Sequence, residues 1–333
     1  MPMPSLRTFS SLLLSAISLA AAAQPPAPAP ATPTAPPTPV TRIFAPYVDM
    51  TKKTQPLTQI KAESGARMFT LAFIQSVDGC VPGWGGTAPI ADDTAIAADI
   101  AALRAAGGDV IVAVGGYDGK ELGEVCPDVP SLQAAYQQIV DKYKIKILDL
   151  DIEHTAIEDP VSIDRRNQAL TKLAAANPGL QLNYTLGAYP VGLAANAQYL
   201  IKSAVANNTP VTVVNLMTMD YGVPVPTGAM GVDAVATAAA TMGQLKLLGM
   251  TGARIGITPM IGTNDTVTET FTLRDAQDVV TFAKANNWVA LIAYWSVSRD
   301  NGTCQATVSA LCSGITQGPY DFARIFAAFD SSH

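Results

Sequence analysis

Short apolar runs alternate along the chain with longer stretches in which apolar residues recur at intervals of three and four. The runs at 43–48, 67–74, 109–114, 145–151, 181–186, 211–217, 254–259 and 289–295 are rich in Val, Ile, Leu, Phe and Tyr and predict strands. The stretches at 94–106, 131–143, 164–176, 234–248 and 273–285 predict amphipathic helices between them. Gly107-Gly108, Asn177-Pro178-Gly179 and Asn286-Asn287 follow three of these helices, where helices commonly stop. Eight strands, each followed by a helix or a helix-sized segment, predict an α/β protein of the (β/α)8 TIM barrel type. An open doubly wound sheet is the alternative. There, a Gly-rich phosphate loop follows the first strand, and Val48-Asp49-Met50-Thr51 stands in that place here.

The fourth predicted strand differs from the others. Alternation along it puts Asp149, Asp151 and Glu153 on one face and Leu148, Leu150 and Ile152 on the other. Carboxylates so spaced stand roughly 7 Å apart and raise one another's pKa where water is scarce. At least one of the three is then expected to keep its proton near neutral pH. Acids on a strand are more often surface decoration, but a solvated face would mix them with Lys or Thr. A protonated carboxyl beside ionised ones suits glycosidic bond cleavage, which needs an acid for the leaving oxygen and a negative partner for a cationic transition state. In a barrel, chemistry sits at the carboxyl ends of the strands, and these acids end the fourth.

Composition narrows the class. The chain has 333 residues, 49% hydrophobic and 14% charged, too apolar for a disordered protein. A formal net charge of −6 argues against a nucleic acid partner and fits a neutral substrate. Residues 1–23 combine a cationic start ending at Arg7, an apolar core through Leu12-Leu13-Leu14 to Leu19, and Ala21-Ala22-Ala23. This is the pattern of a secretory signal peptide and too short for a membrane span, so a secreted protein, extracellular or periplasmic, is expected. Residues 24–41 are nearly all Pro, Ala and Thr and predict a linker, leaving 42–330 as the folded domain. No later apolar run approaches the ~20 residues of a membrane span, and a monomer is expected.

Cys80, Cys126, Cys304 and Cys312 suit an exported protein with two disulfides, for which three pairings exist. Cys80–Cys126 and Cys304–Cys312 are favoured: the second closes a short loop and the first joins neighbouring strand-end loops. The rival is zinc, but the chain has no C-x-x-C pair and only 2 His, so neither metal nor cofactor is expected.

The acid row resembles the fourth-strand signature D-x-x-D-x-D-x-E of the family 18 glycoside hydrolases, the chitinase family. Its last three acids match Asp149, Asp151 and Glu153, and Lys146 stands at the first. Val114-Gly115-Gly116 resembles the family's S-x-G-G, with Ala113 at the serine. Met217 and Asp220 fall in register with M-x-Y-D, with Met219 at the tyrosine. Trp295 in Tyr294-Trp295-Ser296 matches the eighth-strand tryptophan that floors the sugar site. The resemblance runs from Arg42 to Phe329.

It implies a chitinase acting on chitin or chitooligosaccharides by substrate-assisted retention, an exception to the two-carboxylate scheme. Glu153 would be the acid, Asp151 would orient the substrate's 2-acetamido group, and Asp149 would share a proton with Asp151. A tyrosine hydroxyl normally holds the acetamido oxygen. Met219 cannot donate, so Tyr221 is the first candidate and Tyr184 the second. Trp295 would stack on the sugar, and Met217, Asp220 and Tyr47 would line the site. Trp84 is either a secondary sugar contact or a loop anchor, Trp288 is structural, and alternation turns His154 away from the site. Some family members insert a small α+β module after the seventh strand. The short connection from Ile261 to Thr270 lacks room for it, which implies an open groove and endo-type cleavage. Two alternatives remain: a catalytically weak or inactive chitin-binding lectin-like barrel, or an endo-N-acetylglucosaminidase on other N-acetylglucosamine-containing glycans.

Overall fold

The computed structural model describes residues 41–266 and 268–330. The expected signal peptide at 1–23 and all of the expected linker at 24–41 except Thr41 lie outside the described residues. Eight parallel strands appear in chain order. They are β1 (Ile43–Phe44 and Tyr47–Asp49), β2 (Met68–Ser76), β3 (Asp109–Gly115), β4 (Ile147–Asp151), β5 (Gln181–Tyr189), β6 (Val211–Met217), β7 (Arg254–Thr258) and β8 (Val289–Ile292). Each of β2 to β8 pairs with its neighbours in sequence, while β1 pairs with β8 through Ile43–Phe44 and with β2 through Tyr47–Asp49. A helix follows every strand, from Leu57–Ser64 after β1 to Asp321–Phe326 after β8.

Alternation on β4 sorts its side chains between two environments. Leu148 and Leu150 join the large apolar cluster beneath the helices, while Ile147 joins Ile111, Val213 and Leu291 in a smaller interior cluster. One step nearer the carboxyl end the interior turns polar. Asp149 Oδ2 accepts from Tyr47 Oη (3.0 Å) and Oδ1 accepts from Thr185 Oγ1 (2.8 Å). Asn215 Nδ2 donates to Thr185 Oγ1 (3.0 Å), and Thr258 Oγ1 donates to Asn215 Oδ1 (2.8 Å). The belt thus crosses β1, β4, β5, β6 and β7 with every residue at most 3% exposed, and satisfied partners are what make such burial tolerable.

Gly115 shows why the third strand must end in glycine. Its φ is +102°, and a Cβ there would lie 2.0 Å from the Asp151 carbonyl oxygen. The backbone of β3 therefore presses directly on the strand that carries the acids. Both expected disulfides form, Cys80–Cys126 and Cys304–Cys312.

Candidate active site

Asp151 and Glu153 open into a cavity of about 250 Å3 at the carboxyl ends of the strands. Asp149 lies one layer below. β4 itself stops at Asp151. Glu153 continues in extended conformation (φ −126°) as the first residue before helix His154–Glu158, and its side chain makes no cap hydrogen bond. The carboxyl therefore remains available to the cavity. Trp295, Tyr47, Met217 and Asp220 line the same space, and the Trp295 ring stacks on Phe73 at 5.7 Å between centroids. A roomier recess of about 510 Å3 beside β1 contains none of the three acids.

Burial dominates the electrostatics. It pushes Asp149 up to about 7, against the lowering effect of the hydroxyls of Thr185 and Tyr47. Glu153 is also raised to about 7, first by burial and then by the charges of Asp220 and Asp118. Asp151 is held well above the usual carboxylate range by burial, with Glu153 and Asp149 adding to it. Asp151 Oδ1 is buried without a hydrogen-bond partner. A buried polar atom left unpaired is costly, and its residue lines the cavity.

Both tyrosine candidates and Trp84 stand elsewhere. Tyr221 is 5% exposed, in the apolar layer under the helices, with its hydroxyl 3.5 Å from Thr237 Oγ1 on helix Met230–Leu247. The cause is local: Asp220 adopts a left-handed φ of +48°, which breaks alternation. Met219 and Asp220 both line the cavity, and Tyr221 swings outward. Tyr184 also points outward, donating to Asn167 Oδ1 (2.7 Å). Trp84 is a loop anchor, its Nε1 donating to Tyr143 Oη (2.7 Å) in the apolar layer. His154 stands edge-on to Tyr117 at 4.0 Å, and Tyr117 lines the cavity.

Thr185 and Thr258, which also line it, went unnoticed in the sequence although a signal for Thr185 was present. In β5, alternation sets Asn183 and Thr185 opposite Leu182, Tyr184 and Leu186, so the polar pair faces inward and Tyr184 outward.

An acid row inside an aromatic-lined cavity at strand ends is the build of a sugar-cleaving enzyme. No family model matches the chain. It is similar to a probable bifunctional chitinase/lysozyme of Escherichia coli (strain K12), at 36% identity over 312 residues, covering 86% of this chain and 34% of the relative. It is also similar to endochitinase 11 of Metarhizium anisopliae, at 35% identity over 276 residues, covering 78% of this chain and 52% of that one. The chain thus spans only about a third to a half of the length of these curated relatives. Among solved structures, the catalytic domain of a hyperthermophilic chitinase from Pyrococcus furiosus is 31% identical with a TM-score of 0.79, the match covering 88% of this chain and 97% of that one. The chain belongs to the family 18 glycoside hydrolases, the chitinase family.

Proposed function

We propose that the protein is a secreted chitinase that cuts β-1,4 bonds between N-acetylglucosamine units. Its (β/α)8 catalytic domain would follow a signal peptide and a Pro-rich linker. The pairing of β1 with both β8 and β2 supports a closed barrel. The observation that carries the reading is the acid row on β4, with Asp151 and Glu153 reaching into the cavity that Trp295 lines.

In this reading Glu153 gives its proton to the glycosidic oxygen as the bond to the leaving sugar breaks. The carbonyl oxygen of the substrate's own 2-acetamido group attacks the anomeric carbon, so no enzyme nucleophile is needed. Asp151 Oδ1, buried and unpartnered, accepts the acetamido N–H and offsets the positive charge that develops on the ring formed. Asp149, tied to Tyr47 and Thr185, holds Asp151 near charge balance. Trp295 offers an apolar ring face to the pyranose and keeps water from the bond. Between β7 and its helix, the two-residue strands Gly262–Thr263 and Thr270–Phe271 pair in place of a larger module. That supports an open groove and cleavage within long chains.

The test uses substrate chemistry. Purified protein is expected to release reducing ends from chitohexaose and none above background from the fully deacetylated hexamer, which has no carbonyl to attack. Equal cleavage of both would sink the substrate-assisted route, and tight binding of chitohexaose without cleavage would leave a lectin-like protein. A second expectation concerns pH. An acid catalyst works only while protonated, and burial holds Glu153 at about 7. The kcat/KM profile should therefore fall as pH rises through about 7, approaching a tenfold loss per unit beyond it. A flat profile up to pH 9 would remove Glu153 from the acid role.

A further inference from the structure

Two reciprocal hydrogen bonds tie the segment after β6 to the segment after β7. Thr266 N–H donates to Asp220 Oδ1 (2.7 Å), and Gly222 N–H donates to Glu269 Oε1 (3.2 Å). Glu269 is fully buried; burial raises its carboxyl above the usual range, with the charge of Asp220 adding to it, and the backbone amides of Tyr221, Gly222 and Asp220 act against that rise. Successive backbone N–H groups gathered around an anion form a nest. The left-handed φ values of Asp220 (+48°) and Gly222 (+74°) bend the chain around this one. Burying a carboxylate is expensive unless it is hydrogen-bonded, so its place between two loops calls for a role. Glu269 does not itself line the cavity, whereas Asp220, which its loop holds, does.

We propose that Glu269 is a positioning residue: it fixes the 220–222 backbone so that Asp220 faces Glu153, and thereby sets the pH range in which Glu153 carries its proton. This rests on the reading of Glu153 as the acid. The charged groups facing Glu153 are Asp151 at the end of β4, Asp118 after β3 and Asp220 after β6. Those acting on Asp220 are Glu153, Asp265 and Glu269, with Arg299 the cation nearby. Negative charge at Asp220 makes Glu153 keep its proton to higher pH. Releasing the nest lets Asp220 turn away, and Glu153 then ionises earlier.

The test separates reach from charge. E269D keeps the charge but draws the carboxylate back by one methylene, beyond the Gly222 N–H. E269Q loses the charge but keeps an oxygen at the same reach, and its NH2 displaces no donor because Oε2 has no partner. On chitohexaose, E269D is expected to move the alkaline limb of kcat/KM down by about 0.5 pH unit or more. That would read as an about threefold loss at pH 8 with little change at pH 5. E269Q should keep the wild-type limb, and D220N should move it in the same direction as E269D. Hydrogen exchange at the Gly222 amide, measured without substrate, should quicken in E269D and stay slow in E269Q. A shift in E269Q but not E269D, equal shifts in both, no shift in either, or an unmoved limb in D220N overturns the proposal. If the wild type hydrolyses no chitohexaose, it is the chitinase reading that fails, and the exchange data still report on the nest.

Discussion

Replacing Glu153 with Gln is expected to lower kcat on chitohexaose by 10²–10⁴-fold, roughly the range a positioned general acid contributes. Gln has the same shape and can keep hydrogen bonds to the sugar, but it has no proton to give the leaving oxygen. Binding measured by calorimetry should therefore stay within about tenfold of wild type, so that the loss falls on the chemical step. The leaving group provides a sharper check. An aryl glycoside departs without much help from an acid, so E153Q should lose far less on a nitrophenyl chitobioside than on the all-sugar chain. Equal losses on the two would mean that Glu153 contributes shape and not a proton. Misfolding is separable from this result, because Glu153 makes no cap hydrogen bond to the helix it precedes. Its folded pKa, about 7, lies above the ordinary 4.5. Ionisation therefore costs the folded state stability, a cost absent below about 4.5 and complete above about 7. E153Q should thus melt no lower than the wild type and higher above pH 7.

The acid row was legible because β4 is buried on both faces while its two faces differ in chemistry. Leu148 and Leu150 meet the helices, Asp149 and Asp151 the interior, and a period of two separates them without further information. Strand order was legible for a similar reason: each apolar run is bounded by a helix-length segment, and parallel neighbours follow from that spacing. The tyrosine assignment failed at one backbone angle. Strict alternation after Met217 sends Tyr221 inward, and the left-handed Asp220 reverses it. An Asp tolerates that conformation better than most residues, but nothing in Met219-Asp220-Tyr221 announces that it will be used. Trp84 stood open between two readings and is the anchor: its partner Tyr143 is 59 residues away, and the contact follows from how helix Val129–Tyr143 packs over the short strand Pro82–Trp84. The polar belt of Thr185, Asn215 and Thr258 was also missed, because a lone Thr or Asn in a strand reads as surface until the opposite face is known to be apolar.

Replacing Arg166 with Met should cost about 3–5 kcal/mol of folding stability, the usual consequence of leaving one member of a buried ion pair alone. Arg166 is fully buried on helix Pro160–Ala176, and its Nε and Nη2 donate to Glu121 Oε2 at 3.1 and 2.5 Å. The same carboxylate accepts Gly123 N–H (2.7 Å), and its other oxygen accepts Tyr136 Oη (2.9 Å). Glu121 thereby starts the short helix Leu122–Val125 and anchors the segment that runs from Gly115, which presses on Asp151, through Asp118, which borders Glu153. R166M strands a carboxylate at the centre of this arrangement. R166K should do nearly as badly, because an ammonium cannot reproduce the forked contact of the guanidinium. The double change E121Q/R166M removes the stranded charge and still accepts from Gly123, so it should recover part of the loss, and urea unfolding of the wild type, E121Q, R166M and E121Q/R166M gives the coupling directly. A loss below about 1 kcal/mol in R166M would match an exposed pair and would contradict the burial. Asp149, Asp151 and Glu153 come from one stretch of five residues, yet the segment after β3 that brings Asp118 beside Glu153 rests on a cation 45 residues away from its partner in sequence. This explains why the acid row could be read from a single stretch while its support could not.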